Sequence, residues 1–198
     1  MTLAAVLLAG GESLRMGRDK ATLFIDGLPL WQRQLALLRR LSPAAVFVSA
    51  RRPPPWLPAE ARFIADPPPA RGPLSGLAAA LSAMTATHLL ALAIDMPAMS
   101  AAHLATLWNA AAPGCGVLPW LGDHAESLPA IYPAEALPVA TGMLAGADVS
   151  LKAFTRALLA AGRMKKHAIA SPDANLYANC NSPTDWQRHA AHSAHTHD

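Results

Sequence analysis

Short apolar runs alternate with segments of helical periodicity along the first half of the chain. Runs with the length and composition of buried strands occupy residues 3–8, 45–49, 62–65 and 88–94. Segments with helical spacing occupy residues 30–41 and 73–84, and a third extends from the N-cap residue Ser100 to Ala111. Strands that alternate with helices indicate parallel β-α units. The pattern predicts an α/β fold, Rossmann-like and doubly wound, with a mostly parallel sheet and helices on both faces.

The length of 198 residues is typical of one domain with its own core. We expect a single domain over residues 1–188. Residues 189–198 lack apolar periodicity and carry four histidines, His189, His192, His195 and His197. This composition predicts a His-rich, disordered tail, and chelation of a transition metal by these histidines is the alternative interpretation.

Charge and hydropathy exclude several classes of protein. The net charge of +3 is small, and the basic residues form scattered pairs, so no nucleic-acid partner is expected. The hydrophobic fraction of 53% owes much to 44 alanines, and no apolar run reaches the ~20 residues of a membrane span. Residues 2–9 are too short for a signal peptide, and the two cysteines form no framework. These features predict a cytoplasmic protein without membrane contact.

Ligands of an open parallel sheet bind beyond the carboxyl ends of its strands. Gly10 and Gly11 follow the first predicted strand, where glycine lets backbone N–H groups approach a phosphate. Arg15 and Lys20 lie in the same segment and supply cations for phosphate oxygens. The segment matches neither the dinucleotide fingerprint nor the Walker motif. Taken alone, it is equally compatible with a plain turn.

Two carboxylates follow other predicted strands. Asp66 stands at the end of the third strand, before a proline-rich segment that leads into Gly72-Pro73-Leu74-Ser75-Gly76. Asp95 stands after an uncharged strand and before Met96-Pro97. A carboxylate in this position suits Mg²⁺, although a turn-forming role is the simpler alternative for each. The sequence shows no nucleophile–base pair for covalent catalysis.

Five motifs occur together and in order along residues 3–187. The first combines Leu8-Ala9-Gly10-Gly11, Arg15-Met16-Gly17 and Asp19-Lys20. The others are Gly27-Leu28-Pro29-Leu30, Gly72-Pro73-Leu74-Ser75-Gly76, Asp95-Met96-Pro97 and Asn179-Cys180-Asn181-Ser182-Pro183. In this combination they resemble the molybdenum cofactor guanylyltransferases, whose fold is of the nucleoside-diphosphate-sugar transferase type.

The resemblance implies transfer of GMP from GTP to the phosphate of molybdopterin, with release of pyrophosphate. It implies that Leu8, Ala9, Gly10 and Gly11 hold the nucleotide by backbone contacts, that Arg15 and Lys20 neutralise the triphosphate, and that Asp66 contacts the nucleotide. It also implies that Asp95 binds Mg²⁺ and that Lys20 and Asp95 are the catalytic residues. Asn179 and Asn181 would bind the molybdopterin. Cofactor-delivery proteins and acceptor molybdoenzymes would be partners.

The chain departs from the resemblance at one position and leaves two alternatives open. Many relatives carry asparagine after the second predicted strand, where this chain has Ser49, and its contact with the nucleotide stays open. The related cytidylyltransferases usually show Leu-Ala-Ala-Gly, so Gly10 favours GTP over CTP by leaving room for a purine. A cytidylyltransferase for the same cofactor and a non-catalytic nucleotide-binding module are the alternatives.

Overall fold

The computed structural model describes residues 1–10, 19–66, 71–181 and 185. Its strands are β1 (Leu3–Leu8), β2 (Phe24–Ile25), β3 (Leu28–Pro29), β4 (Val46–Ala50), β5 (Arg62–Ala65), β6 (His88–Ala93), β7 (Gly116–Leu121), β8 (His124–Ala125), β9 (Ala130–Pro133) and β10 (Met164–Ala168). Its α-helices are α1 (Leu30–Arg39), α2 (Pro73–Ala83), α3 (Ala101–Ala110), α4 (Leu137–Ala145) and α5 (Leu151–Ala160). Short 3₁₀ turns cover Lys20–Thr22, Ala134–Ala136 and Ser171–Tyr177.

The central sheet is mixed, with the strand order β10-β7-β9-β6-β1-β4-β5 and β8 paired to β7. The β6-β1-β4-β5 half is parallel throughout. Strand β9 runs antiparallel to both β6 and β7, and β10 is parallel to β7. The carboxyl ends of β1, β4, β5 and β6 therefore meet at one edge of the sheet, where a ligand is expected to bind.

Alternate residues of β1 point to opposite faces of the sheet, and each face carries its own hydrophobic core. Leu3, Ala5 and Leu7 pack with α1 and α3 on one face. Ala4, Val6 and Leu8 pack with α2, α4 and α5 on the other. Because both faces are covered, the whole strand is apolar and buried. Helices on both faces were predicted from the sequence, and the structure confirms them.

The predicted elements of the first half agree with the structure to within two residues. Helix α1 ends at Arg39 rather than at residue 41 because the chain turns at Ser42, which has a positive φ of 48°, before Pro43. Ser100 caps α3 as predicted, with its hydroxyl accepting from the His103 N–H at 3.2 Å. The elements after residue 111 were not predicted.

Some expectations fall outside the residues that the structure describes. These are the placements of Gly11, of Arg15 and of the His-rich segment 189–198. Within the described ranges, no helix has both the length and the apolar character needed to cross a bilayer.

Gly116 allows the close contact between β7 and β9. A Cβ at this position would overlap the carbonyl oxygen of Ile131, a backbone atom that cannot rotate away. We expect Gly116→Ala to lower the free energy of unfolding by about 1–3 kcal/mol, measured by urea denaturation. Gly142 in α4 has no atom within 4 Å of the equivalent position, so Gly142→Ala should instead stabilise the protein by about 0.5–1 kcal/mol. Equal effects of the two substitutions would contradict this account of Gly116.

Candidate active site

A cleft of about 450 Å³ opens at the carboxyl edge of the sheet. Residues from both halves of the chain line it, namely Leu8, Ala9, Gly10, Asp19, Lys20, Ser49, Asp66, Pro73, Gly76, Ala93, Ile94, Asp95, Ala125, Glu126, Ser127, Leu128, Leu151 and Asn179. Backbone hydrogen bonds hold the strand ends in register beneath it. The Ala9 N–H donates to the Ser49 carbonyl at 2.8 Å, and the Ile94 N–H donates to the Leu8 carbonyl at 3.1 Å.

Asp66 lines the cleft and is oriented by one hydrogen bond, in space that two glycines leave open. The buried Ser49 hydroxyl donates a hydrogen bond to Asp66 Oδ1. A Cβ on Gly10 would collide with Asp66 Oδ2, and a Cβ on Gly76 would collide with Ser49 Oγ. The two glycines thus make room for an oriented carboxylate. The space at Gly10 that we ascribed to a purine is taken by Asp66, and the hydroxyl of Ser49 is committed to Asp66.

Lys20 begins a 3₁₀ turn whose position is fixed from both sides. Asp19 Oδ1 accepts from the Ala21 N–H at 3.0 Å and caps the turn. Asp19 Oδ2 accepts from the Trp56 indole N–H at 3.1 Å, and Trp56 stacks on Trp31 with ring centroids 5.5 Å apart. The proline-rich segment around Trp56 therefore supports the lysine turn.

Lys20 connects three distant parts of the chain inside the cleft. Its ammonium group lies 3.4 Å from Asp95 Oδ2 and donates to Asn181 Oδ1 at 2.8 Å. The side chains of Lys20 and Asp95 are only 16% and 23% exposed, so water screens this ion pair less than a surface pair. The structure thus brings together a cation, a carboxylate and an amide that the sequence predicted as site residues.

The turn that carries Asp95 is held from behind by α1. Gln34 is fully buried, and its amide donates to the Met96 carbonyl at 2.7 Å and to the Ile94 carbonyl at 3.5 Å. Arg33 Nε donates to the Pro97 carbonyl at 3.2 Å. Helix α1 therefore satisfies carbonyl groups on both sides of Asp95 and holds the backbone of the turn in place.

The segment 178–181 brings a distant part of the chain to the cleft beside Asp95. Tyr177 precedes this segment, and its hydroxyl is hydrogen-bonded to His103 Nε2 at 2.8 Å. Burial lowers the pKa of His103, and the nearby Asp173 opposes that shift. The Cys180 N–H donates to the Asp95 carbonyl at 2.9 Å. Burial, together with nearby carboxylates, raises the pKa of the Cys180 thiol to about 11. The Cys180 thiol is thus buried, and its raised pKa favours the neutral form.

Most of the predicted site residues converge. Leu8, Ala9, Gly10, Lys20, Asp66, Asp95 and Asn179 line the same cleft, and Asn181 joins it through Lys20. Sequence reasoning missed Gln34 and Trp56, which support the site, and it missed residues 125–128 and 151, which line it. One signal was available for Gln34, because it is a polar residue among the apolar positions of a predicted helix.

The cleft combines an ion-paired lysine, carboxylates and a glycine-rich approach at the carboxyl edge of a Rossmann-like sheet. Among the described residues we find no cluster of three or more metal-binding side chains. The lysine, the carboxylates and the glycines at this edge of the sheet define an α/β protein of the nucleotide-binding class.

Comparison with known proteins narrows this class. Residues 5–168 match the model of the MobA-like NTP transferase domain, and the chain belongs to this family. It is 36% identical over 186 residues to a molybdenum cofactor guanylyltransferase from Xanthomonas euvesicatoria, with 92% of each chain covered. It is 37% identical over 189 residues to a probable molybdenum cofactor guanylyltransferase from Opitutus terrae, with 94% of each covered.

A solved structure confirms the fold. Molybdopterin-guanine dinucleotide biosynthesis protein A from Archaeoglobus fulgidus superposes with a TM-score of 0.74 at 20% identity, with 97% of this chain and 99% of that chain covered. At this identity the likeness concerns the fold alone. The predicted Rossmann-like, mostly parallel sheet of the nucleotidyltransferase type is confirmed.

Removing the amide of Gln34 should weaken the support of Asp95. We expect Gln34→Leu to lower the free energy of unfolding by about 1–3 kcal/mol, because two buried carbonyl groups lose their donor. Gln32 lies on the exposed face of the same helix, so Gln32→Leu should change stability by about 0.5 kcal/mol or less. Urea denaturation of both variants measures the difference, and a Gln34→Leu protein as stable as Gln32→Leu would refute this role.

Proposed function

We propose that this protein transfers GMP from GTP to the phosphate of molybdopterin and releases pyrophosphate. The observation that carries the proposal is the convergence of Lys20, Asp95 and Asn181 in the cleft. The names of the relatives support the substrates. The proposed compartment is the cytoplasm, with which two free cysteines agree, and cofactor-delivery proteins and acceptor molybdoenzymes are proposed partners.

The reaction requires positioning and charge neutralisation rather than a covalent intermediate. A phosphate oxygen of molybdopterin attacks the α-phosphorus of GTP, and the bond between the α-phosphorus and the bridging oxygen breaks. The electron pair leaves with pyrophosphate. Lys20 already stands in the cleft with its charge directed by Asp95 and Asn181, so it meets the triphosphate without reorganisation.

We assign the nucleotide to the β1-β4-β5 side of the cleft. We assign backbone contacts with GTP to Leu8, Ala9 and Gly10, and a polar contact to the oriented carboxylate of Asp66. Gly11 and Arg15 remain part of the proposal as phosphate-binding residues. Asn179 and Asn181 are proposed to contact the acceptor, because their segment follows β10, which lies across β6 from β1, β4 and β5.

The donor set at Asp95 is compatible with Mg²⁺. Mg²⁺ is usually held by one or two carboxylates together with phosphate oxygens and water, so a single protein carboxylate beside a phosphate site suffices. Asp95 lines the cleft and is partly exposed there. When bound, Mg²⁺ would neutralise charge on the phosphates and the leaving group. Asp95 is the proposed ligand, and Asp66 is the next carboxylate in the same cleft.

The choice of base tests the proposal against its nearest alternative, a cytidylyltransferase. We expect kcat/KM with molybdopterin as acceptor to favour GTP over CTP and ATP by about a hundredfold or more, since a site built for guanine leaves buried groups unpaired with another base at about 1–3 kcal/mol each. Steady-state kinetics at constant Mg²⁺ measure these values. Equal or faster turnover with CTP would overturn guanylyl transfer, and nucleotide binding without turnover would favour a non-catalytic module.

Asp95→Asn tests the metal assignment, because it keeps the shape of the side chain and removes its charge. We expect kcat in saturating Mg²⁺ to fall by about 10²–10³-fold, while the Kd for GTP changes far less. Asp66→Asn should show the reverse balance, with a weaker Kd for GTP as its main effect. Retention of Mg²⁺-stimulated turnover by Asp95→Asn would assign the metal to another carboxylate.

A further inference from the structure

Glu126 is a cleft residue to which neither the motifs nor the reaction gives a role. It follows β8, and its N–H donates to the Pro119 carbonyl at 2.9 Å, which ties it to β7. The residue lines the cleft between Ala125 and Ser127 and is half-buried. Within the described residues its carboxylate forms no ion pair and accepts no hydrogen bond. The group is thus available to a ligand.

The strand order places Glu126 away from the nucleotide side. Strands β7 and β9 lie on one side of β6, whereas β1, β4 and β5 lie on the other. Gly10, Ser49 and Asp66 belong to the second group, and Glu126 belongs to the first. Asp95 follows β6 and stands between them. Glu126 therefore faces the half of the cleft in which the proposed function places the acceptor.

The carboxylate of Glu126 is a poor partner for an anionic group. Burial raises the pKa of Glu126 above its ordinary value, and the nearby His124 opposes that shift. Phosphate oxygens would meet a carboxylate here, whereas Lys20 offers them a cation beside Asp95. A neutral group with N–H donors suits Glu126 best, and Leu128 and Leu151 supply apolar surface for a flat ring.

The acceptor of the proposed reaction carries such a group. A pterin ring presents N3–H and the 2-amino group side by side, and two parallel donors match the two oxygens of a carboxylate. We propose that Glu126 binds this edge of the pterin ring and selects the acceptor. The inference rests on the proposed function for the identity of the acceptor, and it adds the residue that recognises the ring.

Binding of small pteridines tests this role without turnover. Pterin has the 2-amino group, which donates to a carboxylate oxygen. Lumazine has a 2-oxo group instead, and its oxygen would be an acceptor placed against the carboxylate, which is also an acceptor. We expect the wild-type protein, titrated by fluorescence in the presence of GTP and Mg²⁺, to prefer pterin about 10- to 100-fold. In Glu126→Gln the amide can donate to the 2-oxo group, so the preference should vanish or reverse. An unchanged preference, or none in the wild type, would overturn the inference.

Kinetics separate this inference from the proposed function. For Glu126→Gln we expect KM for molybdopterin to rise about tenfold or more, with KM for GTP unchanged. Asp123→Asn, an exposed carboxylate three residues earlier, is the matched control and should leave both values unchanged. A rise in KM for GTP instead would place Glu126 at the nucleotide and refute the inference. Absence of guanylyl transfer by the wild type would refute the proposed function, while the pteridine titration would still decide the role of Glu126.

Discussion

The ion pair between Lys20 and Asp95, completed by Asn181, is the interaction on which the site depends. It joins Lys20 to Asp95, 75 positions later in the sequence, and to Asn181, 161 positions later. Because both charged side chains are mostly withdrawn from water, loss of either partner would leave an uncompensated charge in the cleft. The pair also holds the lysine ammonium in the cleft, where the proposed function places the phosphates. Stability and readiness for the reaction thus depend on the same contact.

The surrounding structure holds this contact rigidly. The Gln34 amide binds the carbonyl of Met96, next to Asp95, and the Cys180 N–H binds the carbonyl of Asp95 itself. Trp56 fixes the Lys20 turn through Asp19. Each support comes from a backbone group or from a side chain that is itself packed or hydrogen-bonded. A preorganised electrostatic site requires this second layer, since a mobile lysine would lose most of its effect on a developing charge.

The sequence predicted the parts of the fold and site that local pattern determines. Strands β1, β4, β5 and β6 are buried apolar runs, and Ser100 is a local cap, so each could be identified without its partners. Strands β7 and β9 were not identified, and their main partners are distant in sequence, since β7 pairs with β10 and β9 pairs with β6.

The same limit applies to the site. Lys20 and Asp95 stand within recognisable motifs that follow strands, whereas Glu126 is a single acidic residue in the loop after β8. Its local pattern is the same as that of a solvated surface residue. Gln34 and Trp56 act only through partners that are distant in sequence. Their roles follow from three-dimensional proximity, which no local window contains.

The connection from Lys20 to Asn181 also has a consequence for the order in which the chain emerges from the ribosome. Residues 3–93 contain the strands of the parallel half of the sheet, which can pair as soon as β6 has been synthesised. The last polar partner of Lys20 arrives 161 residues after the lysine itself. A nascent chain can therefore hold the parallel half of the sheet with an unfinished cleft, and assembly of the site follows formation of that half.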